Sequence, residues 1–192
     1  MGGSAVRTTT VAALVVLLAA CSAEPPMPSG GVPHAGLPPV PDPAEAAATR
    51  EVLAAYRGFR EAEVSLNAHP VAPDVATATL SRHVVEPLLS RLNWNVYNLY
   101  VNDLARGGRS TSEPELVDLR LDARPPWATI RDCLDTTGWP VVDRDTGQPS
   151  SGKDVAGLYA VESGRHTRVI TVVRYEDGWR LEDATWQLDT SC

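Results

Sequence analysis

No stretch of this chain is long and apolar enough to cross a bilayer. The longest apolar run, Val11–Ala20, is half the roughly 20 residues that a spanning helix needs. Basic residues are also scarce, 17 against 24 acidic ones, for a formal net charge of −7. Binding nucleic acid through its phosphates needs a basic face, so no nucleic-acid partner is expected. Ligand motifs are missing as well. His69, His83 and His166 stand alone, without a His-x-x-x-His or Cys-x-x-Cys spacing, so no metal site is expected. Asp143-Arg144-Asp145-Thr146-Gly147 starts like a calcium loop. Gly147 then takes the third ligand position and no glutamate follows at the required spacing, so it reads as a charged turn. There is no Gly-x-Ser-x-Gly nucleophile elbow. Gly30-Gly31 falls among prolines and Gly107-Gly108 follows a helical pattern, so neither is a phosphate loop. No cofactor is expected. What is present, 43% hydrophobic and 21% charged residues, excludes a wholly disordered chain.

The N-terminus reads as an address. Arg7 is the sole charge before Glu24, and the apolar run follows it. A short apolar segment behind a positive residue is a secretory signal. Its end, Leu18-Ala19-Ala20-Cys21, resembles the lipobox of bacterial lipoproteins. That resemblance implies that residues 1–20 are removed and that Cys21 carries a lipid on its sulfur. The protein would then be held to the cell membrane, facing away from the cytoplasm. Residues 21–43 form the expected tether: eight of the chain's 16 prolines lie in 22–43, where they prevent helix and inner strand. The folded domain is expected over 44–192.

Asp42, Pro43 and Glu45 give a helix start, and Val52, Tyr56, Phe59, Ala62 and Leu66 recur as a buried stripe. A second helix is expected from Asp74 to about Val85. A third runs from Pro87 to Gly107-Gly108, with Leu88, Leu89, Leu92, Val96, Leu99 and Leu104 inward. Trp94–Val101 is rich enough in aromatic and β-branched residues to compete as a strand. From Glu115 the period becomes two: Val117, Leu119 and Leu121 are expected on one face. Further strands are expected at Trp127–Asp135, Val141-Val142, 166–176 (the central one) and Trp179–Leu188, with Pro149–Asp154 a loop. Helices first and antiparallel strands after make an α+β fold, with N-terminal helices packed on a curved antiparallel sheet.

The order of elements is similar to nuclear transport factor 2-like (cystatin-like) cone domains. Arg131-Asp132-Cys133-Leu134-Asp135, Val141-Val142-Asp143, Thr146-Gly147, Asp177-Gly178-Trp179-Arg180-Leu181 and the closing Cys192 look like segments of secreted actinobacterial lipoproteins with such a domain. The resemblance implies a cone and assigns no activity.

With Cys21 lipidated, Cys133 and Cys192 remain for one disulfide in an oxidising exterior. The rival, a reactive thiol at Cys133, lacks the electropositive setting such thiols need, because Asp132 precedes it. Cone folds also include isomerase- and cyclase-like enzymes with a carboxylate on an apolar face. Asp132, on a face with Ala128, Ile130 and Leu134, and Asp183, with Trp179 and Leu181, are the acid–base candidates. Against that role stands pairing with an arginine such as Arg131 or Arg180. On the third helix, Trp94, Tyr97 and Val101 form a second stripe beside Asn95, Asn98 and Asn102. Trp94, Tyr97, Asn98, Val101 and Asn102 are the candidate ligand or partner surface; the plainer alternative makes the aromatics core. Three functions follow. The preferred one is a non-catalytic envelope domain binding a small apolar ligand or an envelope protein. The second is a spacer whose interior is filled by Trp127, Trp179, Trp186 and leucines. The third is the acid–base enzyme.

Overall fold

A computed structural model describes residues 42–150, 163–187 and Cys192, all within the compact unit Val40–Cys192. Residues 1–41, including the signal segment, Cys21 and nearly all of the tether, lie outside the described residues, as do 151–162 and 188–191. The described part is α+β, as expected: three helices against antiparallel sheets, with no closed barrel. No described helix is long and apolar enough to cross a membrane.

Helix α1 spans Pro43–Ala68. Asp42 caps it, its carboxylate accepting from the Ala44 N–H at 2.8 Å, and Pro43 takes the first turn. Ala48, Val52, Tyr56, Phe59 and Leu66 are buried along one face. Ala62, expected in that stripe, is only half-buried, and Glu63 and Asn67 take the inward positions after Phe59.

Helix α2 covers Pro73–Leu80, shorter than expected. Ala72 is its N-cap and Asp74 sits in the first turn rather than capping. The chain leaves the helix because 83–85 bond to the sheet: Leu181 N–H donates to the His83 carbonyl and Val85 N–H to the Leu181 carbonyl, each at 2.9 Å.

Helix α3 spans Leu88–Val101, which settles Trp94–Val101 as helix. It stops six residues short of Gly107. Asp103 takes a left-handed conformation (φ 53°), the terminating role that glycine usually fills. The Asn98 and Asn102 amides donate back to the carbonyls of Trp94 and Asn98, at 2.7 and 2.8 Å. Leu104 is therefore not helical. It opens strand β1, Leu104–Arg106, which pairs with β4, Val141–Asp143. Gly107-Gly108 then crosses the 138–140 segment so closely that a Cβ on Gly108 would meet the Gly138 carbonyl oxygen at 2.2 Å.

The main sheet has the order β2-β3-β5-β6, all antiparallel: Thr111–Arg120, Trp127–Asp135, Arg165–Tyr175 and Gly178–Gln187. The sequence places the two inner strands, β3 and β5, correctly. Pro114 sits on edge strand β2, where its missing N–H costs no ladder bond to a further strand. Two irregularities overturn face assignments. The register shifts between Leu116 and Asp118, so Leu116 and Leu119 pack against the core while Val117 is exposed; Leu121 is exposed because it lies past the end of β2. A second shift lets Thr171 oppose Asp183 and Val172 oppose Leu181, leaving Glu182 as the extra residue. Past it the inward parity passes to Ala184 and Trp186, and Asp183 leaves the apolar face it was expected to share with Trp179 and Leu181.

Cys133 and Cys192 form a disulfide, with Cα atoms 5.7 Å apart. The rival reading of Cys133 as a free reactive thiol is thereby set aside.

Candidate ligand cavity

Near the middle of the sheet the apolar core gives way to buried charge. Asp132 on β3 and Arg168 on β5 are cross-strand partners, on the same face as Ile130 and Ile170. Above them α1 presents Tyr56, Arg60 and Glu63 at helical spacing. Arg168, 2% exposed, links the two elements. Its Nη1 donates to both Glu63 carboxylate oxygens, at 3.1 and 3.2 Å, and its Nη2 donates to the Tyr56 hydroxyl at 2.6 Å. The Tyr56 hydroxyl in turn donates to Asp132 Oδ2 at 2.5 Å, and the Ser112 hydroxyl donates to Asp132 Oδ1 at 2.8 Å. Arg60 closes the group, pairing with Glu63 and donating to the Ser110 hydroxyl at 2.8 Å. The Arg168 guanidinium also lies 5.3–5.7 Å from the ring centres of Tyr56, Phe59 and Trp186.

Protonation follows from this wiring. Burial alone would push the Glu63 carboxyl up, but Arg168 and Arg60 together hold it below its ordinary value. Burial, helped by the Asp132 charge and hydrogen bond, raises the Tyr56 phenol to about 12 against the opposing pull of Arg168. Tyr56 thus stays a donor to Asp132. Desolvation of Arg168 is outweighed by Glu63, Tyr56 and Asp132, so its pKa is raised.

A group whose folded pKa is lowered stabilises the fold above its unfolded pKa, and that contribution fades as pH falls through the folded value. For Glu63 the loss begins below the unfolded value of 4.5. Denaturant melts between pH 5 and pH 3 are expected to show a steeper loss for the native chain than for Glu63→Gln. Equal slopes would mean that Glu63 is not held by the two arginines.

One edge of this network opens into a cavity of about 110 Å³. It is smaller than the roughly 300 Å³ at which drug-sized pockets begin. Phe59, Glu63 and Asn67 of α1 form one wall, and Leu88, Arg91, Leu92 and Asn95 of α3 another. Arg168, Ala184 and Trp186 supply the sheet side, with Arg106, Thr136 and Trp139 closing the end. The Asn95 amide donates to the Asn67 side-chain oxygen at 2.9 Å, joining the two helices. Arg106 donates to the Trp139 carbonyl at 3.0 Å and lies 5.2 Å from that ring's centre. Desolvation lowers its pKa, with Glu63 opposing. An arginine begins so high that it remains charged near neutrality.

The sequence candidates fall in three places. Asp132 is fully buried, as its strand parity required, but its carboxylate is held by Tyr56, Ser112 and Arg168, not by Arg131. Asp183 is half-exposed and paired with Arg91, not Arg180. Neither is the buried, unneutralised carboxylate that acid–base chemistry needs. Trp94, Tyr97 and Val101 are 53%, 38% and 48% exposed, so they are not core. They form an outer α3 face with Asn98 and Asn102, apart from the cavity. Trp179 and Trp186 divide: Trp179 packs in the main core and Trp186 lines the cavity, so the interior is not completely filled.

Glu63, Arg60, Arg106, Trp139 and Arg168 were not singled out in the sequence. Arg168 shares the parity of Ile170 and Val172, and Glu63 lies four residues from Phe59, so a signal was there. It becomes readable only once the Asp132–Arg168 register is known.

The molecule is thus an α+β domain with an arginine-lined cavity over a closed ion-pair network. No family model matches the chain, and no curated protein matches it. Among solved structures it is similar to the intermembrane space region of the chloroplast protein ARC6. The likeness is 11% identity with a TM-score of 0.42, over 77% of this chain and 98% of that one.

Proposed function

We propose that the protein is a membrane-anchored lipoprotein displayed outside the cytoplasm, whose domain binds a ligand in the cavity and performs no chemistry there. The observation that carries the binding reading is the state of the carboxylates. Glu63, the acid in the cavity wall, is held by Arg60 and Arg168, and Asp132 behind it is held by Tyr56, Ser112 and Arg168. A general base needs a free lone pair within reach of substrate. At this cavity the isomerase- or cyclase-like alternative finds no such group in Glu63 or Asp132. Helices on one face of an antiparallel sheet fit the cone resemblance. The exposed Trp94, Tyr97 and Val101 face supports a second mode, contact with an envelope protein, because aromatics are enriched at interfaces.

The address rests on Arg7, the apolar run and Leu18-Ala19-Ala20-Cys21. Cells fed an alkyne fatty acid are expected to label the native chain in the membrane fraction. Cys21→Ser should lose both label and membrane retention. A Cys21→Ser chain that stays labelled and membrane-bound would rule out the anchor.

A further inference from the structure

The cavity's charge is out of balance. Arg91, Arg106, Arg168 and Glu63 line it, and with their ion-pair partners Arg60, Asp132 and Asp183 behind the wall the count is four guanidiniums to three carboxylates. The ion pairs use three of the arginines. Arg106 is left with a neutral carbonyl as its hydrogen-bond acceptor.

The wall also holds N–H groups that are closed to solvent and have no acceptor among the described residues: Arg168 Nε, Arg91 Nε and Trp139 Nε1. Each belongs to a cavity-lining residue, and the Arg168 side chain is 2% exposed. Unsatisfied buried donors are costly, and together with a surplus cation they leave the cavity at positive potential. A neutral hydrocarbon would leave that potential unrelieved. A cation would be repelled. One surplus charge matches a monoanion better than a phosphate dianion.

We propose that the cavity between α1, α3 and the sheet binds a small carboxylate with a single apolar ring or short chain. Its anionic end lies beside Arg106 and its apolar part against Trp139 and Trp186. The proposal rests on the ligand-binding reading above and names the ligand class. Guanidinium pairs with carboxylate through charge-assisted hydrogen bonds, which are the strong ones. The cavity's size suits a ring-sized acid, and the Leu88, Leu92 and Ala184 side chains complete an apolar surround.

The test is calorimetric titration of the full chain in detergent with benzoate, benzamide and inorganic phosphate. Benzoate is expected to bind at least tenfold more tightly than benzamide or phosphate, and more weakly as salt is raised. Arg106→Gln should weaken benzoate at least tenfold, and Arg106→Lys by less, since it keeps the charge. The acid–amide comparison uses the native protein and so survives any failure of these variants to fold. A tripeptide ending in phenylalanine separates two sources of carboxylate, a chain terminus if it binds or a free small acid if only benzoate does. Either result supports the proposal. Benzamide bound as tightly as benzoate overturns the anion proposal and leaves the ligand-binding reading standing. No binding of either ring compound overturns both.

Discussion

Arg168→Ala is expected to cost about 3–5 kcal/mol, the penalty of removing one partner from a buried ion pair. The reason is the number of groups that one side chain serves. Arg168 donates to Glu63 and Tyr56 and lies 3.8 Å from Asp132, so its loss leaves Glu63 with Arg60 alone and the buried Asp132 with hydrogen bonds but no cation. Against a typical total of about 5–15 kcal/mol, such a loss leaves a domain close to its unfolding threshold. Arg168→Lys should recover part of it. A lysine is a single point charge and cannot reach Glu63 and Tyr56 with separate nitrogens. Arg91→Ala is the control. Its pair with Asp183 is partly open to solvent, and such pairs contribute at most about 1 kcal/mol. Urea melts of the three variants give the ranking. An Arg168→Ala chain within 1 kcal/mol of the native one would mean that the buried network is not what fixes α1 to the sheet.

The second large effect is expected at the C-terminus. The Cys133–Cys192 bridge spans 59 residues of sequence. In the loop-entropy treatment, closing such a loop removes about 4 kcal/mol of unfolded-state freedom. The double variant Cys133→Ala, Cys192→Ala should lose stability of that order, and so should the native chain melted with reductant. The bridge ties the last residue to β3, one residue from Asp132. Its loss should therefore loosen the sheet without touching the hydrogen bonds of the network. A double variant as stable as the oxidised chain would show that the bridge does not constrain the unfolded state as described.

Much of this architecture was legible in the residues. Asp42-Pro43 marked the start of α1 to the residue, because capping and the proline ring act locally. The alternation in Trp127–Asp135 placed Asp132 inward, and the apolar content of 166–176 placed β5 centrally. Where reading failed, the cause was non-local. The register shifts at Leu116/Asp118 and at Glu182 flip every later side chain, and no residue type announces them. Helix α2 ended early because 83–85 had hydrogen-bond partners on β6, about a hundred residues away in sequence.

The site was hidden for the same reason. A glutamate and an arginine on charged helix α1 and an arginine on apolar strand β5 show nothing in common until the fold stacks Glu63, Arg60 and Arg168 together. Conversely, Trp94, Tyr97 and Val101 look like core at helical spacing. They are exposed because the Leu88, Val96 and Leu99 face of α3 fills the space available inside.

The carboxylates beneath the cavity are already paired, which on our proposal leaves Arg106 to hold an anion there. A crystal structure of the protein with benzoate tests it most directly. The benzoate carboxylate is expected beside Arg106, its ring against Trp139 and Trp186, with Glu63 and Asp132 still beside Arg168. A cavity that stays empty at saturating benzoate, or an Arg168 turned away so that Glu63 stands bare in the cavity, would contradict it.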